Sequence, residues 1–147
     1  MVDIQKEVAA KNKKVVIPFR LDCDNLFSLA LWAWLIRTNV EGLTIRHSPA
    51  SATADIAQGF VPIDLSGGLK PEEGSCFEAL LALAEEEDRK ALRPLAEHIA
   101  LQEKGGWINL AAEVGTLGAQ LTALRLEQHS DEKLYLWAQE LFRAYHH

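Results

Sequence analysis

The stretch that decides the fold is residues 15–36, "VVIPFRLDCDNLFSLALWAWLI", in which a short apolar run leads through a polar loop into a strongly apolar segment. Residues 15–17 predict a β-strand. Residues 25–38 predict a helix that is apolar nearly all round, and such a helix is buried on most sides. Asp22 and Asp24 lie in the loop between the two elements. This aspartate pair is either part of a metal site or a turn followed by a helix cap.

The pattern after this stretch predicts two more strands and then a run of helices. The strands are "GLTIR" at residues 42–46 and "FVPID" at residues 60–64. Because strands and helical segments alternate in this half, the strands are expected to be parallel and joined by right-handed crossovers. Apolar residues at helical spacing predict the later helices over residues 75–86, 88–104 and 107–127, and after Ser130, a good N-cap. The sequence therefore predicts one α/β domain over residues 1–147, with a Rossmann-like parallel sheet, flanking helices and a helical C-terminal half.

Composition restricts the classes of protein to which the chain could belong. The chain has 147 residues, of which 48% are hydrophobic and 24% charged, which is typical of a single globular domain. A net charge of −6 disfavours a partner such as duplex nucleic acid, which needs a basic surface. Three features predict a cytoplasmic protein with no membrane partner. The chain has two cysteines without a CxxC pair, its first segment lacks an apolar core, and its longest apolar run is too short to span a bilayer. His146 and His147 are either native or the remnant of a purification tag.

Several side chains that could bind a metal ion follow the predicted strands. In an open parallel sheet, ligands bind beyond the carboxyl ends of the strands, and all these ends meet at one edge. Clustered carboxylates favour a hard cation such as Mg²⁺ or Mn²⁺. The predicted metal ligands are Asp22, Asp24 and Asp64, with His47, His98 and Glu103 as accessory candidates.

Simpler interpretations stand beside the metal site. Asp24 could cap the following helix while Asp22 lies in the turn before it, and Asp64 could be an ordinary turn residue at a strand end. His47 could be a surface or hydrogen-bonded histidine. Cys23, which lies between the two aspartates, is interpreted as a packing residue because no general base is evident near it.

The order and spacing of these segments resemble the DHH-type phosphoesterases, a family of manganese-dependent phosphohydrolases. "VVIPFRLDCDNLF" resembles the family's first motif, a strand, a histidine and then Asp-x-Asp at the start of an apolar helix, with Asp22 and Asp24 on its aspartates. "FVPIDLSGG" resembles the second motif, an apolar strand ending in a metal-binding aspartate, here Asp64. "ALQEKGGW" is similar to the fourth motif, with Glu103 at the position of an aspartate. The resemblance is strongest over residues 14–107.

This resemblance implies a hydrolase that acts on a small phosphorylated or nucleotide-like substrate, with Mn²⁺ or Mg²⁺ held by the three aspartates. The chain departs from the family at the histidines. Pro18 stands where the first motif has one, and no Asp-His-His motif follows Asp64. Because two-metal phosphoryl chemistry needs a full ligand set, the residues present indicate an incomplete site with one weakly held ion, and the catalytic residues are unknown.

The alternative hypothesis is a catalytically inactive DHH-like module for binding or assembly, which the missing histidines favour. Residues 108–147 are interpreted as C-terminal helices. A face of small residues in this segment would allow close helix packing, either inside the monomer or in a homodimer formed through the C-terminal helices. The residues of this face are Ala111, Gly115, Gly118 and Thr122.

Overall fold

The structure is a computed structural model that describes residues 2–48, 53–65, 74–105 and 130–146. Within these residues the strands form one sheet in the order β2-β1-β3, and β1 is parallel to both neighbours. The strands are β1 Lys14–Pro18, β2 Thr44–Ser48 and β3 Val61–Pro62. The prediction of an α/β protein with parallel strands is therefore confirmed.

The sheet accommodates a proline in β3 because of how that strand pairs. Pro62 lies opposite Val16 of β1, yet the backbone hydrogen bond to the Val16 carbonyl comes from the N–H of Ile63, at 2.9 Å. Since successive residues of a strand direct their N–H groups to opposite sides, the nitrogen of Pro62 faces away from β1. Proline is compatible with such an edge position, where the sheet needs no donor.

The helices follow the predicted order with shifted ends. The predicted helix over residues 25–38 begins at Cys23 and ends at Leu35, because Asp22 occupies the N-cap position two residues earlier than expected. A short 3₁₀ helix precedes β2 where the sequence predicted none. The helical elements are α1 Ile4–Ala9, α2 Cys23–Leu35, the 3₁₀ helix Val40–Gly42, α3 Thr53–Ala57, α4 Cys76–Leu81, α5 Glu86–Gly105 and α6 Asp131–His146.

Apolar side chains on the two faces of β1 form two separate cores. Val15 and Ile17 belong to the main core, which α2, α4, α5 and α6 complete. Val16 points the other way and packs with Phe60 and Leu65, against which Ile56 of α3 is packed. Helix α2 packs against α4 and α6 and shares the main core with Val15 and Ile17 of β1, which explains why its sequence is apolar nearly all round. The sheet therefore carries helices on both faces.

Some sequence predictions fall outside the described residues. They include the helix over residues 107–127 and the small-residue face that was offered as a packing or homodimer surface. Glu103 lies within α5, but its side chain is not described. Across the described ranges, every helix is too short or too polar to cross a membrane.

Candidate functional site

Among the described residues, the carboxyl edge of the sheet carries two separate groups of polar side chains. Asp22 and Asp24 follow β1, and Asp64 follows β3, whereas His47 lies near the end of β2. Because β1 is the middle strand, the end of β2 and the end of β3 lie on opposite sides of it. The four predicted site residues that follow the strands, Asp22, Asp24, Asp64 and His47, are thus divided between two places.

Asp22 is a helix cap. Its carboxylate accepts the backbone N–H of Asn25 at 2.9 Å, and the Asn25 side-chain oxygen accepts the backbone N–H of Asp22 at 3.0 Å. This reciprocal pair is a capping box, which satisfies N–H groups that the first turn of a helix leaves without a partner. The interpretation of Asp24 as the cap of this helix is wrong: the cap is Asp22, which was expected in the preceding turn, and Asp24 lies inside the first turn of α2.

Asp24 lies in the first turn of α2 and binds the start of a different helix. Its side chain is only 3% exposed. One carboxylate oxygen, Oδ2, accepts the N–H of Cys76 at 3.0 Å, and the other, Oδ1, accepts the N–H of Phe77 at 2.9 Å. The N–H of Glu78, the next residue of α4, donates to the hydroxyl of the N-cap Ser75. The first turn of α4 is thus satisfied jointly by its own cap and by a carboxylate from α2.

These hydrogen bonds help to compensate the negative charge of the buried Asp24 carboxylate. The first turn of a helix carries a partial positive charge, because its N–H groups point outward along the axis. Asp24 lies in the first turn of α2 and receives the first two N–H groups of α4, so two helix N-termini stabilise one carboxylate. Charge-assisted bonds of this kind are stronger than neutral ones. The aspartate therefore joins α4 to the sheet-side helix α2.

Cys76 and Asp64 complete the group around Asp24, which we call the aspartate cluster: Asp24, Ser28, Asp64 and Cys76. Burial raises the pKa of the Cys76 thiol well above its ordinary value, and the Asp24 charge raises it further. Hydrogen bonding by Ser28 lowers the thiol pKa, and the Asp64 charge raises it. A thiol in these surroundings stays protonated and is a poor nucleophile.

The metal ligation predicted for Asp22, Asp24 and Asp64 stays a prediction. In the ranges that the structure describes, no group of three or more His, Cys, Asp or Glu side chains is placed to hold a metal ion. Asp64 has a left-handed backbone, with φ of 58°, a conformation that aspartate tolerates better than most residues. The structure brings Asp24 and Asp64 to the same thiol, while the side chain of Asp22 caps its own helix.

The accessory histidines are hydrogen bonded elsewhere. His98 of α5 lies against α6, where its Nδ1 is 2.8 Å from the hydroxyl of Tyr145 and its ring meets that of Tyr145 edge to face. His47 lies beside Pro18, with its Nδ1 3.1 Å from the Pro18 carbonyl oxygen. The interpretation of His47 as a hydrogen-bonded histidine is confirmed.

The second group of polar side chains faces a cavity of about 390 Å³ between β2, the 3₁₀ helix and the start of α6. This volume lies in the range of small-molecule sites. The wall combines aliphatic side chains with carboxylates, a histidine and a tyrosine. We call this space the β2–α6 cavity, and it is lined by Val40, Glu41, Leu43, Ile45, His47, Asp131, Glu132, Tyr135 and Leu136.

A hydrogen-bonded chain crosses the wall of the β2–α6 cavity. The Nε2 of His47 is 2.9 Å from the hydroxyl of Tyr135 and 3.5 Å from a carboxylate oxygen of Asp131. Since the Pro18 carbonyl can only accept, the His47 Nδ1 carries a hydrogen, and in the neutral ring Nε2 accepts the hydroxyl of Tyr135. Burial, and then the charges of Asp131 and Glu132, raise the pKa of the Tyr135 phenol well above its ordinary value. The phenol therefore stays protonated at neutral pH.

Two further contacts fix this wall. Gln139 of α6 is buried, and its side-chain oxygen accepts the N–H of Val40 at 2.8 Å, which ties α6 to the 3₁₀ helix. The exposed ring of Phe19 stacks on His47, with 5.8 Å between the ring centroids. These contacts fix the positions of the lining residues Val40 and His47.

No family model, curated protein or solved structure matches this chain. Its chemistry therefore has to be argued from the arrangement of its own residues.

Sequence reasoning found His47 but missed the residues that surround it. Asp131 and Tyr135 belong to the predicted last helix, where the pattern indicated only an N-cap and an apolar stripe. The contact between Tyr135 and His47 joins residues 88 positions apart, and no local pattern encodes it. The available signal was a second acidic group, Asp131 and Glu132, following directly on the N-cap Ser130.

Proposed function

We propose that the chain is a non-catalytic ligand-binding module on a Rossmann-like α/β fold, and that its ligand occupies the β2–α6 cavity. The observation that carries this proposal is the different use of the two polar groups at the carboxyl edge. Both oxygens of Asp24 accept backbone N–H groups, whereas His47, Asp131 and Tyr135 line a cavity of about 390 Å³.

The resemblance to the DHH-type phosphoesterases enters this proposal as a fold relationship. A phosphoesterase of that kind uses carboxylates to hold metal ions that polarise phosphate and activate water. The position of Asp24 favours a different use of the same residue, since the carboxylate organises the junction of α2 and α4. Such a chain would keep the shape of a hydrolase and bind its ligand without turnover.

The test is a screen of small-molecule fragments against the ¹⁵N-labelled chain, read as changes in backbone amide shifts. Binders should perturb the amides of Ile45, His47 and Tyr135. Leu136→Arg, which places a long cationic side chain at the cavity wall, should abolish these changes. Leu101→Arg is the matched control, because Leu101 is similarly exposed, at 46% against 39%, but lies on α5. Fragments that perturb only residues outside the cavity would contradict the proposal.

A metal-dependent phosphoesterase remains the second candidate, because Asp24 and Asp64 both act on the pKa of Cys76 and hence lie close to the same thiol. This candidate requires a Mn²⁺ or Mg²⁺ ion held by Asp64 and Asp24 and hydrolysis of a small phosphodiester or pyrophosphate. It predicts that Mn²⁺ raises the melting temperature of the wild type through binding linkage, and that Asp64→Asn removes this rise. No metal-stimulated turnover and no Mn²⁺-dependent melting would exclude it.

A further inference from the structure

The walls of the β2–α6 cavity suit a ligand with an apolar body. Val40, Leu43, Ile45 and Leu136 contribute aliphatic surface to the lining. Contact with such side chains removes apolar ligand surface from water, which stabilises the complex in proportion to the area buried. A fully hydrated ion or a sugar would gain little from this part of the wall.

The described lining of the cavity contributes three carboxylates. Glu41, Asp131 and Glu132 face the cavity, and among the described residues its lining includes His47 but no lysine or arginine. Two of these carboxylates lie in the first turn of α6 and offset the partial positive charge of that helix end. An anionic ligand would therefore meet three like charges, whereas a cationic ligand would meet three opposite ones.

The hydrogen-bond donors and acceptors along the wall also favour a cationic ligand. In the neutral ring, the only hydrogen of the Tyr135 hydroxyl is donated to Nε2 of His47, and the other ring hydrogen is donated to the Pro18 carbonyl. What the tyrosine oxygen can then offer a ligand is a lone pair, and a carboxylate likewise only accepts. A ligand that matches these groups has to supply N–H or O–H donors.

The electrostatic effect of the carboxylates reaches into the cavity wall. Besides burial, the charges of Asp131 and Glu132 disfavour the negative phenolate of Tyr135 and thereby raise the pKa of this group. The same negative potential stabilises a positive charge placed beside the hydroxyl. The hydrogen-bonding geometry and the negative potential of the wall thus both favour a positively charged ligand.

We infer that the β2–α6 cavity binds a small amphiphilic cation, an ammonium group carried on an apolar body. This inference rests on the proposed function and specifies its ligand class. The ammonium would donate to the carboxylates of Asp131 and Glu132 and to the oxygen of Tyr135, with the apolar body against Ile45 and Leu136. Bonds between an ammonium and carboxylates are charge-assisted and therefore among the stronger hydrogen bonds in proteins.

The test compares three probes that share a phenylethyl body: phenethylammonium, the neutral 2-phenylethanol and the anionic 3-phenylpropionate. Affinities are measured from amide shifts of the ¹⁵N-labelled wild type. Phenethylammonium should bind about tenfold more tightly than the alcohol, and the carboxylate should not bind. Raising the salt concentration should weaken only the cation, because screening acts on the charged contacts.

Neutral isosteres separate charge from shape. Asp131→Asn and Glu132→Gln should each weaken phenethylammonium about two- to fivefold, as expected for partly exposed ion pairs, and should leave 2-phenylethanol unchanged. Glu140→Gln is the control, because Glu140 is an exposed carboxylate of the same helix that does not line the cavity.

The outcomes distinguish a failure of the inferred ligand class from a failure of the proposed function. Equal or tighter binding of the alcohol or the carboxylate in the cavity overturns the cationic ligand class but leaves the binding module standing. Absence of cavity shifts with phenethylammonium also overturns the inference. In that case the fragment screen against wild type and Leu136→Arg decides the proposed function.

Discussion

The two groups of polar side chains at the carboxyl edge of the sheet use their aspartates in opposite roles. At the β3 side, the aspartate cluster directs its carboxylate at two backbone N–H groups, and Asp24 is 3% exposed. At the β2 side, the carboxylate of Asp131 stands 3.5 Å from His47 at the wall of a cavity, with its side chain 54% exposed. The comparison teaches that an aspartate beyond a parallel strand marks a ligand site only if another part of the fold has not already supplied its donors.

The largest expected effect on stability is at Asp24, the buried aspartate of the two. Asp24→Ala leaves the N–H groups of Cys76 and Phe77 without their acceptors in the core. Each lost charge-assisted bond costs about 1.5–3 kcal/mol, so the free energy of unfolding should fall by about 3 kcal/mol or more. Urea unfolding followed by circular dichroism measures the change.

A second variant keeps this prediction testable if the alanine variant fails to fold. Asp24→Asn retains one side-chain oxygen as an acceptor and should be destabilised by a smaller amount. An aspartate that belonged to an empty metal site would behave in the opposite way, because its removal relieves repulsion between carboxylates. Unchanged or increased stability of both variants in metal-free buffer would therefore contradict the assigned role.

The neighbouring aspartate should have a smaller effect. Asp22→Ala removes the side-chain half of the capping box at the start of α2, where the carboxylate is partly exposed. Loss of an N-cap costs about 1 kcal/mol, so the variant should unfold at a correspondingly lower urea concentration than the wild type. Asp22→Ser, which restores a capping oxygen, should recover most of this loss. If Asp22→Ala were as damaging as Asp24→Ala, the distinction between a local cap and a buried junction would be wrong.

The smallest effect on stability is expected at Tyr135, in the wall of the β2–α6 cavity. Tyr135→Phe removes the hydroxyl that is hydrogen bonded to His47 and should cost about 1 kcal/mol or less, as for one partly buried hydrogen bond. Because folding raises the pKa of the Tyr135 phenol above its ordinary value of 10, the stability linked to this group is present below pH 10 and declines as the pH rises further. The variant should lose this alkaline decline.

Absorbance titration of tyrosinate checks the same group directly. In the native wild type the Tyr135 phenol should ionise at a higher pH than in urea, and Tyr135→Phe should lose this late step. Tyr145→Phe, at the chain's other tyrosine, should retain it. Ionisation of Tyr135 at its ordinary pKa would show that the wall of the cavity is more open than described.

The sequence predicted features that depend on residues close together in the chain and missed contacts between residues far apart in it. Alternating strands and helices, the buried α2 and the three strand ends are local patterns, and they predicted the parallel sheet. The bond from Asp24 to the N–H groups of α4 spans more than fifty residues, and the contact between His47 and Tyr135 spans 88. Motif spacing placed the aspartates at the correct edge, but only the packed fold shows which donors each carboxylate receives.

The most direct test of the account is paramagnetic broadening of backbone amides by Mn²⁺ added to the ¹⁵N-labelled chain. The ion broadens the signals of amides close to where it binds. If the carboxylate of Asp24 is committed to α4 while the β2–α6 cavity attracts cations, the amides of Asp131 and Glu132 should lose intensity first, and those of Cys76 and Phe77 should keep it. Early loss of the Cys76 and Phe77 signals would place the ion at Asp24 and contradict the account.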